Sequence, residues 1–137
     1  MTKARKTWLY SPQKPSALKV PASAKADVQR KADQLIETIL KPQHIKPPRK
    51  DNDFNYIVDI YAKWYRHYFY FCAKYCSPGP NAISPFFETK FARMEYIGTN
   101  QFNLSSMRHT GEWIAVYPNL SLDQCLTAIR DDPLFQP

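Results

Sequence analysis

The chain has 137 residues, enough for one domain with a modest core. No apolar run approaches the ~18 residues that a membrane-crossing helix needs, and no apolar segment follows the basic N-terminus as a secretory leader would, so a cytoplasmic protein with no membrane partner is expected. The net charge of +7 is unevenly placed: residues 1–50 carry twelve Lys or Arg against three acids, and residues 51–137 carry seven against nine. Such a split reads as a basic segment joined to a near-neutral domain.

Residues 1–22 form that segment. They hold five basic residues, no acids, and prolines at 12, 15 and 21, a spacing that forbids a continuous helix and favours extended geometry. Lys3, Arg5, Lys6 and Lys14 supply most of its charge, and "WLY" (Trp8 to Tyr10) is its one sticky point. Trp8, Tyr10 and these four cations are the candidate contacts of the arm; residues 23–137 are read as a single domain.

The stretch "AKADVQRKADQLIETIL" (24–40) places Val28, Ala32, Leu35, Ile36 and Ile39 at helical spacing, with Ser23 as N-cap. Lys41-Pro42 should end the helix. A Pro-rich charged connection holding His44 follows. From Phe54 the period becomes two. "FNYIVDIYAKWYRHYFYFCAKYC" is too long, and too β-branched and aromatic, for one strand, so it splits into a hairpin, 55–64 and 67–75, turning near Tyr65-Arg66-His67. "SPGPNAISP" is a loop. Strands are then expected over 86–97, "QFNLSSMR" and "EWIAVY", joined by the three-residue turns "GTN" and "HTG", which makes an antiparallel meander. In "NLSLDQCLTAIRDDP", Ser121 and Gln124 form a capping box, Leu120 and Cys125 a hydrophobic staple, and Leu122, Cys125, Leu126 and Ile129 an apolar face. Asp131 and Asp132 sit where the helix dipole disfavours negative charge. The fold class is therefore α+β: a five-stranded antiparallel sheet, hairpin plus meander, with an N-terminal and a C-terminal helix.

Alternation assigns the hairpin's faces. Tyr56, Val58, Ile60, Ala62 and Trp64 share one side with Phe69, Phe71, Ala73 and Tyr75, and a core explains them. The other side holds a second row, Tyr61, Tyr65, Tyr68 and Tyr70, which a core does not explain. Lys63, Arg66 and Lys74 fall beside it, and Lys90, Arg93 and Arg108 could add to a positive surround. These residues, Tyr61, Lys63, Tyr65, Arg66, Tyr68, Tyr70 and Lys74, are the candidate ligand contacts. Aromatic rows on sheets stack with unpaired bases when cations hold the phosphates.

No pattern points to catalysis. His67 and His109 lie in presumed turns, and Asp59, Glu88, Glu95 and Glu112 fall on separate strands. There is no Gly-rich phosphate loop, G-x-S-x-G or H-E-x-x-H. Cys72, Cys76 and Cys125, with His67, repeat no zinc-ligand spacing and read as reduced thiols. No catalytic residue, metal or cofactor is assigned.

With "YSPQKP", "FNYIVDIYAKWYRHYFYFCAKY", "KFARMEY" and "SLDQCLTAIRDDPLFQP" in view, the chain resembles a group of small uncharacterised bacterial proteins over most of its length. That resemblance implies a bacterial cytosolic source and brings no functional residue. The order of strands and closing helix is also similar to the four-strands-then-helix units of whirly-type single-strand-binding proteins. The sequence thus favours a non-enzymatic module that binds a protein or a second copy of itself as a homodimer. The alternative is a binder of single-stranded nucleic acid through the arm and the tyrosine row.

Overall fold

Val28, Ala32, Ile36 and Leu40 recur strictly every fourth residue, a spacing that an α-helix cannot keep on one face, since four residues at ~100° each overshoot a turn by ~40°. The computed structural model, which describes residues 19–47, 54–79 and 84–137, shows how the chain resolves this. Helix α1 (Ala22–Leu35) passes into a π-helical turn (Ile36–Leu40) and then α2 (Lys41–His44). The wider turn takes up the overshoot, and all four residues are buried. Leu40, rather than the expected Ile39, completes the stripe.

The same turn carries the helix through Pro42, where the sequence alone predicts a stop. The Lys41 N–H donates to the Ile36 carbonyl, five residues back, and a widened turn relieves the clash of a proline ring with the carbonyl four residues before it. His44 is thus helical rather than in the Pro-rich connection. At the other end the helix starts one residue before Ser23. Pro21 is the N-cap, with φ −59° and ψ 146°, and its carbonyl accepts from the Lys25 N–H at 3.0 Å.

The five strands are β1 (Tyr56–Tyr65), β2 (Tyr68–Cys76), β3 (Phe86–Gly98), β4 (Gln101–Met107) and β5 (Trp113–Leu120), paired antiparallel in sequence order. The β1–β2 turn is made without glycine because Arg66 takes a left-handed φ of 57°. β5 runs past the expected Tyr117 and includes Pro118, which an outer strand tolerates because only one of its sides needs N–H donors. Register irregularities fall at Val58, Phe91 and Ile97 and within β5. Because of the first, Ile57 rather than Val58 packs toward the core.

One face of the sheet supplies Ile60, Phe69, Phe71, Met94, Phe102 and Leu104 to a single core that also takes Val28 and Ile36 from the first helical segment and Cys125 and Ile129 from helix α3 (Leu122–Asp131). Two hydrogen bonds fix α1 on β1: the Trp64 indole N–H donates to the Lys25 carbonyl at 3.2 Å, and Gln29 Nε2 to the Ala62 carbonyl at 3.0 Å. α3 is held by its capping box. The Ser121 hydroxyl accepts from the Gln124 N–H at 3.2 Å, and Gln124 Oε1 accepts from the Ser121 N–H at 2.8 Å. Asp132 has a structural reason that the sequence does not disclose. It accepts from the Leu134 N–H at 3.0 Å and from the Tyr117 hydroxyl at 2.5 Å, so it caps the 3-10 turn Pro133–Phe135 that buries Phe135.

Candidate functional site

Since the helices pack on one face, the opposite face of the sheet is left to the residues of alternate parity. Register places them in rows: Tyr61, Cys72 and Lys90 in one; Lys63, Tyr70, Arg93, Ser105 and Ala115 in the next; Tyr65, Tyr68, Glu95 and Asn103 in the third. The second tyrosine row expected from the sequence therefore exists as one surface. Tyr65 is 57% exposed, and Tyr61, Tyr68 and Tyr70 are half-buried.

Every one of these rings has a cation over it. Lys63 Nζ lies 5.7 Å from the centroid of Tyr61, the Arg66 guanidinium 5.3 Å from Tyr65, and Lys90 Nζ 5.7 Å from Tyr70. Arg93 sits between two rings, 4.6 Å from Tyr68 and 4.9 Å from Trp113. Lys74 lies 4.7 Å from Phe86. Such contacts are electrostatically favourable, by ~0.5–2 kcal/mol depending on desolvation, yet they leave the formal charge in place. Among the described residues none of Lys63, Arg66, Lys74, Lys90 and Arg93 has a carboxylate within 4.0 Å.

The rings also touch one another. Tyr68 and Tyr70 are 6.0 Å apart and Tyr70 and Trp113 are 5.9 Å apart. His67, in the hairpin turn, lies 4.1 Å from the Tyr68 ring, and its Nε2 is 3.4 Å from Glu95 Oε2. Glu95 is further engaged by Asn103 Nδ2 at 3.5 Å. Burial, with a smaller contribution from contact with Glu88, raises the Tyr61 phenol well above its ordinary range. Burial likewise pushes up the Cys72 thiol beneath Tyr61 and Lys90, so neither is an ionised nucleophile near neutral pH. Two nitrogens on this face, Arg93 Nε and His67 Nδ1, are buried without a hydrogen-bond partner among the described residues.

All seven candidate contacts on the sheet, Tyr61 to Lys74, are thus brought to one face, and Lys90 and Arg93 join them. Arg108 does not; it lies in the β4–β5 turn, where its backbone N–H donates to the Glu112 carbonyl. Trp113 is the residue that sequence reasoning misses. It pairs with Met107, two positions along β5 from Ala115, and shares the face of Ala115, Ser105 and Arg93. The candidate arm contacts Lys3, Arg5, Lys6, Trp8, Tyr10 and Lys14 lie outside the described residues. Cys125 is buried on the helical side, where burial pushes its thiol up to about 12, while Cys72 lies on the open side with the sheet between them. Among the described residues no three His, Cys, Asp or Glu side chains gather as metal ligands, and no helix is long and apolar enough to cross a membrane.

An α+β domain of this kind, a consecutive five-stranded sheet with helices on one face and a cationic aromatic array on the other, is the class that fold and surface define. Residues 20–137 match the family described as a domain of unknown function, DUF3024, and the chain belongs to that family. No curated protein and no solved structure matches it.

Proposed function

We propose that the open sheet face binds single-stranded nucleic acid. One observation carries this reading: the four tyrosines of the second row are left outside the helical layer, and each has beside it a Lys or Arg that no carboxylate among the described residues neutralises. Rings at this spacing offer π-faces to unstacked bases, worth ~1–3 kcal/mol each. The unpaired cations suit the intervening phosphates, and Arg93, between Tyr68 and Trp113, presents guanidinium donors that suit a phosphate. Ring stacking reads no sequence, so a sequence-tolerant binder is expected. The surplus of nine positive charges in residues 1–50 adds long-range attraction for a polyanion.

The test is fluorescence anisotropy with labelled single-stranded oligonucleotides of mixed sequence. Affinity should fall steeply between about 50 and about 200 mM salt. Tyr68→Ala and Tyr70→Ala should each weaken it by about tenfold, the loss of one stacked base. Absence of saturable binding at the lower salt, or equal binding by wild type and both variants, would sink the reading. A self-associating module would instead show a mass that rises with concentration and survives high salt.

A further inference from the structure

Lysine and arginine hold their charge throughout the neutral range, but the open face also carries a group that does not. Histidine is the side chain whose charge ordinarily changes between about pH 5 and 8. His67 sits in the β1–β2 turn, where its carbonyl accepts from the Tyr96 N–H at 2.9 Å. Its side chain is 15% exposed, and its ring lies 4.1 Å from the ring of Tyr68. It is therefore built into the tyrosine row rather than hanging from the turn.

The groups around that ring pull in opposite directions. Glu95 of β3 has Oε2 3.4 Å from His67 Nε2 and favours the imidazolium. Arg66, adjacent in the turn and set over Tyr65, and Arg93 of β3, 4.6 Å from the Tyr68 ring, disfavour a further positive charge. Tyr65 of β1 and Tyr68 of β2 are the phenols beside it. Asn103 of β4 acts through Glu95, whose Oε1 accepts from Nδ2 at 3.5 Å. Burial opposes the charged form as well, because an N–H at Nδ1 finds no acceptor among the described residues. A phosphate tips this balance. A strand stacked on Tyr65, Tyr68 and Tyr70 carries its backbone past the turn, and each negative charge there favours the imidazolium. Glu95 repels the same phosphates while His67 is neutral, and repels them less once the pair carries no net charge. Both effects have one sign: the complex holds the proton more tightly than the free protein.

We propose that His67 takes up a proton when a single strand binds, so that the His67–Glu95 pair makes the open face a tighter nucleic-acid site as pH falls toward about 6. The proposal rests on the nucleic-acid reading of the same face. By linkage, a group that holds its proton more tightly in the complex adds affinity at low pH, and that gain is lost as pH rises through its titration in the complex.

Fluorescence anisotropy of the full chain with labelled oligothymidylate, whose bases carry no charge in this range, tests it at about pH 6 and about pH 8 and fixed ionic strength. Wild type should bind about fivefold more tightly at the lower pH. His67→Gln, with its fold verified by circular dichroism, should bind equally at both and as wild type does at the higher pH. His109→Gln, in the β4–β5 turn, should keep the wild-type pH dependence. Glu95→Gln removes the repulsion and should bind more tightly than wild type at the higher pH. Calorimetry of the wild type in two buffers of different ionisation enthalpy should show net proton uptake on binding, a readout that needs no variant to fold. Equal wild-type affinity at the two pH values, an unchanged pH dependence in His67→Gln, a Glu95→Gln that binds no tighter, or binding without proton uptake would each overturn the proposal while the nucleic-acid reading stands. No binding at either pH would overturn both.

Discussion

On the helical side Arg30 pairs with Asp27, Lys31 with Asp123, Lys41 with Glu37 and Asp59, and Arg130 with Asp131, whereas the five cations of the open sheet face rest on rings. Not every helical cation is ion-paired, since Lys25 lies over Trp64 at the α1–β1 contact. The difference is chemical in its consequence. An ion pair cancels its own field within a Debye length of ~8–10 Å, while a cation on a ring keeps its field for a partner. Acids on the open face are occupied elsewhere, Glu95 with His67 and Asn103. One layer is therefore electrostatically closed and the other is not.

The sharpest way to break this contrast uses neighbours that face opposite ways. Phe71→Ala empties a fully buried site and should cost about 3–5 kcal/mol in urea unfolding. Tyr70→Ala, one residue away, should cost under ~1.5 kcal/mol while weakening oligonucleotide binding about tenfold. If Tyr70→Ala unfolds the protein as Phe71→Ala does, the open face is structural. Next, Arg93→Gln with Lys90→Gln should lower the salt slope of binding by ~0.7 for each phosphate that is no longer neutralised, with little change in melting temperature. Ser121→Ala removes the capping box of α3 and should cost about 1 kcal/mol, but it should leave oligonucleotide affinity unchanged because α3 lies on the closed layer.

The smallest expected effect is a pH effect. Hydrogen bonding from the Tyr117 hydroxyl, and then from the Leu134 N–H, holds the Asp132 carboxyl below its ordinary value. A depressed folded-state pKa gives stability that is present above the unfolded value of ~3.9 and is lost as pH falls through the folded one. Asp132→Asn should therefore lower stability slightly at neutral pH and flatten its fall below about pH 4. Chemical denaturation at several pH values reads this directly. A variant with an unchanged acid limb would show that the carboxyl contributes nothing there.

Much of this architecture is legible in the sequence because its signals are local. The period-two alternation from Tyr56 onward, the short turns after β3 and β4, and the reciprocal Ser121–Gln124 cap each need only a few adjacent residues. The tyrosine row is legible for the same reason, since parity along a strand assigns a face. What escapes is whatever depends on register between strands. The irregularity at Phe91 sets which β3 side chains meet β2, placing Lys90 opposite Cys72, and no local pattern announces it. The helix end escapes as well, because Pro42 is a breaker in an α-helix but not after a π turn. Pro118 within β5 is acceptable only because no strand pairs beyond it among the described residues.

That π turn also makes the segment tolerant of a change in length. Its i→i−5 bond, Lys41 N–H to the Ile36 carbonyl, spans five residues over about the arc and rise that four residues cover in an α-helix. Deleting one residue between Ile36 and Leu40 would therefore let the helix rewind as ordinary α with Lys41 still directed toward Asp59, and the cost would fall on Pro42, whose ring then meets the carbonyl four residues before it. Homologous helices that are one position shorter here should keep the same entry into the sheet, so an alignment gap at this place marks loss of the π turn rather than a re-routed connection.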